Sequence, residues 1–339
     1  MAEGIHDENV TAWLVEHAPA VSPPVAYSLI TGGHSNLTYR CEDSAGHAYV
    51  LRRPPLGHVL ESAHDMGREH KIISALARTP VPVAPTYGLC VDASVNGAPF
   101  YVMEFVEGLV LNDAGVARSL TQEERAALGE HVVDVLVALH ALDPDAVGLG
   151  DLGRKEAYLA RQLNRWTKQW EASRTHDIPE MEETRRLLEL RMPVQSGASI
   201  VHGDYRLGNM LVSGGRIQAV LDWELCTLGD ALADVGYLLN SWTSPEEAAA
   251  SGGADLAPTG AGGFPSRDEL CRRYEDATGR DLSQINYYRA FSHWRLAAIG
   301  QGVYKRYLVG AMGKGRAMNL DAYKVSVHRR AVAALALLV

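Results

Sequence analysis

Residues 201–212, VHGDYRLGNMLV, crowd a histidine, an aspartate, an arginine and an asparagine between apolar ends. The triplets SIV (199–201) and MLV (210–212) have the composition of short buried strands, so residues 202–209 are predicted to form a tight loop held rigidly at both ends. RIQAVLDWELC (216–226) reads as a second apolar strand ending at Asp222, and Gly214-Gly215 supplies the turn between the two strands. The resulting β-hairpin sets Asn209 beside Asp222, and His202, Asp204, Asn209 and Asp222 converge on one small volume. Two carboxylates that close repel each other unless a cation sits nearby, and Asp and Asn oxygens are ligands that Mg²⁺ accepts. The pattern therefore predicts a magnesium site. Asp204 or Asn209 could each simply cap a turn. That plainer reading accounts for one of them, but not for both together with Asp222.

The elements that must position this hairpin follow from periodicity. The first hundred residues read as strands: AYVLRRP (48–54) and PFYVMEFVEG (99–108) are β-branched and aromatic runs bounded by Gly, Pro and Asn. Between them SAHDMGREHKIISALAR (62–78) has helical spacing. After Gly108 the pattern turns helical. TQEERAALGEHVVDVLVALHAL (121–142) opens with a Thr121–Glu124 capping box, and further helices are predicted at 153–174, 179–191, 266–278, 284–308 and 319–338. The Gly-, Ala- and Pro-rich stretch 243–266 is predicted to be a mobile loop. Trp166, Trp170, Tyr287, Tyr288, Trp294 and Tyr304 fall on predicted helices and are read mostly as core.

A chain of 339 residues with 47% hydrophobic and 22% charged residues can build one large domain or two smaller ones sharing a cleft. No apolar run approaches the ~20 residues that span a bilayer, and the N-terminal MAEGIHDENV is acidic where a signal peptide would be basic. A cytoplasmic location without a membrane partner is expected. Cys41, Cys90, Cys226 and Cys271 are far apart and form no CxxC pair, so neither a zinc site nor a disulfide framework is indicated. The net charge of −9 speaks against nucleic acid as a partner, yet residues 301–339 carry seven basic side chains against one acidic, Asp321.

His202-x-Asp204-x-x-x-x-Asn209 has the spacing of the protein-kinase catalytic loop, with Asp222 where the kinase metal-binding aspartate follows. The wording HGDYRLGN, LDWE and GDALAD resembles the aminoglycoside phosphotransferase and choline kinase-like family, in particular the branch found as the kinase domain fused to some acyl-CoA dehydrogenases. The resemblance runs through nearly the whole chain. Gly32, Gly33, His34, Ser35 and Asn36 fall where that family has its phosphate-covering loop. Arg52 falls at the strand lysine and Glu69 at its helix partner, while MEFVEG holds the hinge residues Glu104, Phe105 and Val106. The implied fold is α+β and two-lobed: a small antiparallel-sheet N-terminal lobe (1–103), a hinge (104–110) and a larger helical C-terminal lobe (111–339).

The resemblance also implies the roles. Asp204 accepts the proton of a substrate hydroxyl, Asn209 and Asp222 hold Mg²⁺, Arg52 pairs with Glu69 and contacts the phosphates of ATP, and the hinge backbone binds adenine. His202 is expected to hold backbone around the metal-binding aspartate, and Asp230 and Asp234 to brace the catalytic loop through backbone N–H groups or Arg206. Two departures from the protein-kinase pattern stand out: the strand lysine is arginine, which keeps the charge and offers a fork, and DFG is DWE, whose Glu224 either reaches a second metal or faces solvent. No activation-loop segment follows, so a small-molecule acceptor is expected. Three classes stay open: a small-molecule kinase, a non-catalytic nucleotide-binding module, and a metallophosphoesterase, whose several histidine ligands are not found. Among kinases, the basic C-terminal end favours an anionic acceptor such as a hydroxyacyl-CoA or hydroxy acid, with an aminoglycoside or amino alcohol as the alternative.

Overall fold

The computed structural model describes residues 2–30, 36–56, 65–251, 257–310 and 319–339. The N-terminal elements are α1 (Asp7–His17), β1 (Val25–Leu29), β2 (Leu37–Asp43), β3 (Ala48–Arg53), α2 (Met66–Leu76), β4 (Thr86–Cys90), α3 (Ala93–Asn96) and β5 (Phe100–Glu104). Then follow α4 (Ala114–Ala117), α5 (Gln122–Ala141), α6 (Tyr158–Ser173), α7 (Pro179–Leu190), β6 (Ser199–Val201), β7 (Met210–Ser213), β8 (Arg216–Val220), β9 (Thr227–Gly229) and α8 (Leu232–Asn240). The chain ends with α9 (Pro245–Ala250), α10 (Arg267–Thr278), α11 (Ile285–Leu308) and α12 (Leu320–Ala336). The architecture is α+β, as the sequence predicts. Among the described residues no helix is long and apolar enough to cross a membrane.

The five N-terminal strands pair antiparallel in the order β1-β2-β3-β5-β4. Both faces of this sheet are covered, so Tyr49–Leu51 of β3 and Phe100–Met103 of β5 are consecutive buried apolar residues rather than alternating with polar ones. On one face Tyr49, Leu51, Phe100 and Val102 pack with Val10 and Leu14 of α1. On the other, Val50, Tyr101 and Met103 pack with Ile72, Ile73 and Leu76 of α2 and join the core of the helical part. Arg52 shares the parity of Val50, which turns it toward α2, and it stands opposite Tyr101 in the β3–β5 ladder.

Several elements depart from the sequence reading. The first hundred residues hold α1 as well as strands. Its buried residues are Val10 and Leu14, a spacing of four that is too short a signal within a stretch containing Val, Thr and Trp. The helix expected from 153 begins at Tyr158, because Ala157 is left-handed (φ 50°) and the Tyr158 N–H is capped by Gln195 Oε1 at 2.9 Å. The stretch 243–266 is more ordered than a mobile loop: α9 has a full Ser244–Glu247 capping box, and the Thr259 hydroxyl is bonded to the Thr243 carbonyl. Residues 252–256 of that stretch lie outside the described residues. The helix at 122–141 carries the Thr121–Glu124 capping box read from the sequence. All four cysteines are unpaired.

Candidate active site

The β7–β8 hairpin forms with the two-residue turn that Gly214 and Gly215 permit, both at positive φ (55° and 67°). A side chain at Gly215 would strike the Glu124 backbone at 2.9 Å, so the turn is also where the hairpin seats on α5. At its open end the Leu221 N–H donates to the Asn209 carbonyl at 2.8 Å, which brings Asn209 and Asp222 side by side. Asp222 is left-handed (φ 65°, ψ 63°), an unfavourable conformation for a non-glycine residue that is held where the chain leaves β8.

The catalytic-type loop leaves β6, which pairs with β9. Asn209 Nδ2 donates to the Asp204 carbonyl at 2.9 Å and to Asp204 Oδ2 at 2.7 Å. The other Asp204 oxygen lies 3.4 Å from Arg206 Nε. His202 is fully buried; its Nε2 donates to the Leu221 carbonyl at 2.9 Å, leaving Nδ1 to accept from the Asp204 N–H at 3.2 Å. One imidazole thus ties the residue before Asp222 to the backbone of Asp204. Asp234 supports the loop from below, accepting from the N–H groups of His202 (2.6 Å) and Gly203 (2.8 Å). Burial works against the Asp234 charge, but His140 and His202 beside it, with the Gly203 N–H, hold its carboxyl below the ordinary range. Asp230 does not brace the loop as expected. It accepts from the Tyr288 hydroxyl and the Leu232 N–H, capping the start of α8, and burial raises its carboxyl. Arg206 lies beside Asp204 rather than reaching either aspartate.

The N-terminal sheet meets this loop through Arg52. Its Nε donates to Glu69 Oε2 at 3.1 Å and its Nη2 to Asp222 Oδ1 at 2.8 Å, joining residues 170 apart in sequence. Burial opposes the Arg52 charge, but Glu69, Tyr101, Asp222 and Glu224 around it raise the guanidinium above its usual range. Burial likewise pushes the Glu69 carboxyl up, with Arg52 opposing it. Arg68, the neighbour of Glu69, donates to the carbonyls of Leu152 (3.1 Å) and Cys226 (2.6 Å), fixing α2 against the segment that follows Asp222.

Of the predicted nucleotide residues, Asn36 is buried just before β2, whereas Gly33, His34 and Ser35 lie outside the described residues. Glu104 ends β5, exposed, with its N–H on the Pro85 carbonyl. Phe105 lies under the Arg40 guanidinium at 4.6 Å, and Val106 packs on the main core. Three residues later Leu109 exchanges both backbone hydrogen bonds with Val212, which ties the connector to the hairpin. Of the aromatic residues, Trp170, Tyr287, Tyr288 and Trp294 are core, and Trp166 packs against it.

The donor set fits magnesium. With Asn209 Nδ2 turned to Asp204, its carbonyl oxygen faces away, and it shares the hairpin end with Asp222, one of whose oxygens is engaged by Arg52. Among the described residues no group of three or more His, Cys, Asp or Glu could hold a metal. Two hard oxygens suit an ion that completes its shell with phosphate and water.

An antiparallel sheet joined through the Arg52–Asp222 ion pair to a His-x-Asp loop and an Asn–Asp hairpin defines the class: a kinase-like phosphotransferase. The family model for the phosphotransferase enzyme family matches residues 26–270, and the chain belongs to that family. It is similar to acyl-CoA dehydrogenase family member 10 of Mus musculus, 38% identical over 85% of this chain and 27% of the relative. Acyl-CoA dehydrogenase family member 11 of Mus musculus is 37% identical over 89% of this chain and 40% of the relative. The chain thus spans about a quarter to two-fifths of these relatives' length. A Ralstonia eutropha structure, named provisionally as an aminoglycoside phosphotransferase, is 36% identical with a TM-score of 0.81, over 98% of this chain and 97% of that one. The fold is also shared with the aminoglycoside phosphotransferase APH(4)-Ia bound to ADP and hygromycin B, at 17% identity and a TM-score of 0.62 over 97% and 98% of the two chains.

Proposed function

We propose that the chain is an ATP-dependent kinase that transfers the γ-phosphate to a hydroxyl of a small, anionic metabolite. The observation that carries the reading is the Arg52 guanidinium, which bridges Glu69 and Asp222 and so sets the N-terminal sheet over the Asp204–Asn209 loop. Phosphoryl transfer asks a protein mainly to position reactants and neutralise charge. In this reading Asp204 orients the acceptor hydroxyl and takes its proton, and Asn209 fixes the Asp204 carboxylate through Nδ2. Asn209 and Asp222 would hold Mg²⁺, which when bound offsets the charge of the phosphates. Arg52 contacts the phosphates, Glu69 keeps Arg52 in place, and the backbone at 104–106 receives the adenine. His202 and Asp234 keep the loop in shape.

The acceptor class rests on charge and on the names of the relatives. Lys305 and Arg306 occupy the last turn of α11, where cations also suit the helix dipole, and Lys305 Nζ donates to the Ala172 carbonyl of α6. Lys314 and Arg316 lie outside the described residues. Two curated relatives are named as acyl-CoA dehydrogenase family members, which favours a hydroxyacyl-CoA or hydroxy acid over an aminoglycoside. Described residues of the segment 243–266, Ser244 to Glu247 and Gly262 to Ser266, line a cavity with Ile285, Asn286 and Arg289 at the start of α11. There Arg267 reaches the Leu239 carbonyl and Arg289 reaches Asn240. Along α11 that is about 24 Å from Lys305. In this reading the acceptor lies toward α6 and the C-terminal half of α11, where Lys305 and Arg306 supply the positive charge.

Measuring Mg·ATP consumption against hydroxy acids, hydroxyacyl-CoA thioesters, amino alcohols and aminoglycosides tests the reading. An anionic hydroxyl compound is expected to be the best acceptor; an aminoglycoside in that place would refute the charge argument. With that acceptor, Lys305→Glu or Arg306→Glu should raise its KM about fivefold, on the order of 1 kcal/mol, leave the KM for ATP unchanged, and lose effect as salt rises. An unmoved acceptor KM would refute the placement.

A further inference from the structure

Gly203 is held from both sides by buried charged side chains. Its N–H donates to Asp234 Oδ1 at 2.8 Å, and its carbonyl accepts from Arg295 Nη2 at 2.6 Å. Gly203 is at φ +85°, and a Cβ there would meet the Leu225 carbonyl oxygen at 2.9 Å, so only glycine fits between the loop and the residues following Asp222. Glycine leaves the peptide leading into Asp204 without a side chain to fix its orientation. The two charged groups supply that constraint.

Arg295 comes from the middle of α11 and is 7% exposed. It lies over the Tyr237 ring, 5.3 Å from the centroid, and its Nε has no hydrogen-bond partner among the described residues. Burying a guanidinium and leaving one of its donors unmet is costly, and a leucine or methionine would fill a helix contact without that cost. What an apolar side chain would lack is a charge-assisted donor to the Gly203 carbonyl. Tyr237, beneath Arg295, also meets the Asp204 carboxylate: burial raises its phenol above the ordinary range, and the Asp204 charge and hydrogen bond add to this.

We infer that Arg295 is a positioning residue for phosphoryl transfer, which fixes the peptide before Asp204 by holding the Gly203 carbonyl and so fixes the direction of the Asp204 carboxylate. The inference rests on the reading of Asp204 as the proton acceptor. Arg295 touches neither nucleotide nor metal ligand in this role, so its effect belongs to turnover and not to nucleotide affinity. A misplacement of about 1 Å at a reacting group costs on the order of 100-fold in rate.

The test compares the full-length chain with Arg295→Lys and Arg295→Gln, measuring the Kd for Mg·ATP and the turnover to ADP with water as acceptor. Turnover should fall in the order Arg, Lys, Gln, by about 3- to 10-fold for Lys, which keeps charge but not the fork, and by about 30-fold or more for Gln. The Kd should stay within about twofold throughout. Turnover of the Lys variant equal to wild type, or a Kd that rises in step with the fall in turnover, overturns the inference. Should the Gln variant fail to fold, the Lys variant decides by the same two readouts. Asp204→Asn measured alongside separates the two claims. If it keeps wild-type turnover, the role of Asp204 fails and this inference with it; if it loses turnover and the Arg295 variants do not, this inference alone fails.

Discussion

Asp204→Asn is expected to lower turnover by about 10²- to 10⁴-fold while leaving Mg·ATP affinity within about twofold of wild type. The substitution keeps the shape of the side chain but removes the oxygen that can take a proton. Its one amide oxygen can still accept from Asn209 Nδ2, which donates to Asp204 Oδ2 at 2.7 Å, but the other position then becomes an NH₂ facing Arg206 Nε and no longer accepts. Both consequences fall on the acceptor hydroxyl. Neither reaches Arg52, Glu69 or the connector at 104–106. Steady-state rates with the best acceptor, set beside direct binding of Mg·ATP, measure the split. A parallel loss of turnover and affinity would mean that Asp204 acts on the nucleotide or the metal instead.

Asp222→Asn should behave differently. The carboxylate at the hairpin end is proposed as a metal ligand, and it is bonded to Arg52 at 2.8 Å. Even outer-shell partners of metal ligands are worth about 10- to 100-fold in metal affinity, so a ligand itself should cost at least that. Nucleotide affinity in the presence of Mg²⁺ is expected to fall about 10-fold or more, while affinity in EDTA changes little, and turnover falls with it. Arg52 keeps Glu69 as a partner at 3.1 Å, so the variant should fold. Titration of ATP with and without Mg²⁺ reads this directly. If Asp222→Asn and Asp204→Asn proved indistinguishable, the division of labour between them would be wrong.

What was legible in the sequence is what local chemistry writes into neighbouring residues. The hairpin could be read because two glycines in a row can only be a turn between the flanking apolar runs, and its geometry then carried Asn209 to Asp222. Of the five-stranded sheet, β3 and β5 were legible from composition and the long helices from period and caps, while the antiparallel sheet as a whole was implied by the family resemblance. Helix starts were less so: Tyr158 begins α6 because Gln195, 37 residues away, caps its N–H. The supports of the site were the least legible. Arg295 reaches Gly203 across 92 positions, and His140 reaches Asp234 across 94. A single arginine or histidine on an apolar helix gives no local sign of the loop it will meet. Asp230 and Asp234 look alike in GDALAD, yet only Asp234 faces the loop. α8 begins immediately after Ala231, so Asp230 caps it while Asp234, one turn on, points back to His202 and Gly203. Arg52 and Glu69 lie 17 residues apart, and their pairing was implied by the family resemblance, not by spacing.

The central claim is that the phosphate of a nucleotide bound beside the Arg52–Asp222 pair is passed to a hydroxyl held by Asp204. Incubating wild type and Asp204→Asn with Mg²⁺ and ATP labelled in its γ-phosphate, together with the acceptor panel, and following the label tests it most directly. The account predicts an acid-stable phosphate ester on a hydroxylated acceptor with wild type, none when Mg²⁺ is removed, and almost none with Asp204→Asn despite normal nucleotide binding. Nucleotide bound equally by both proteins, with label passed to no acceptor by either, would contradict it and make the chain a nucleotide-binding module.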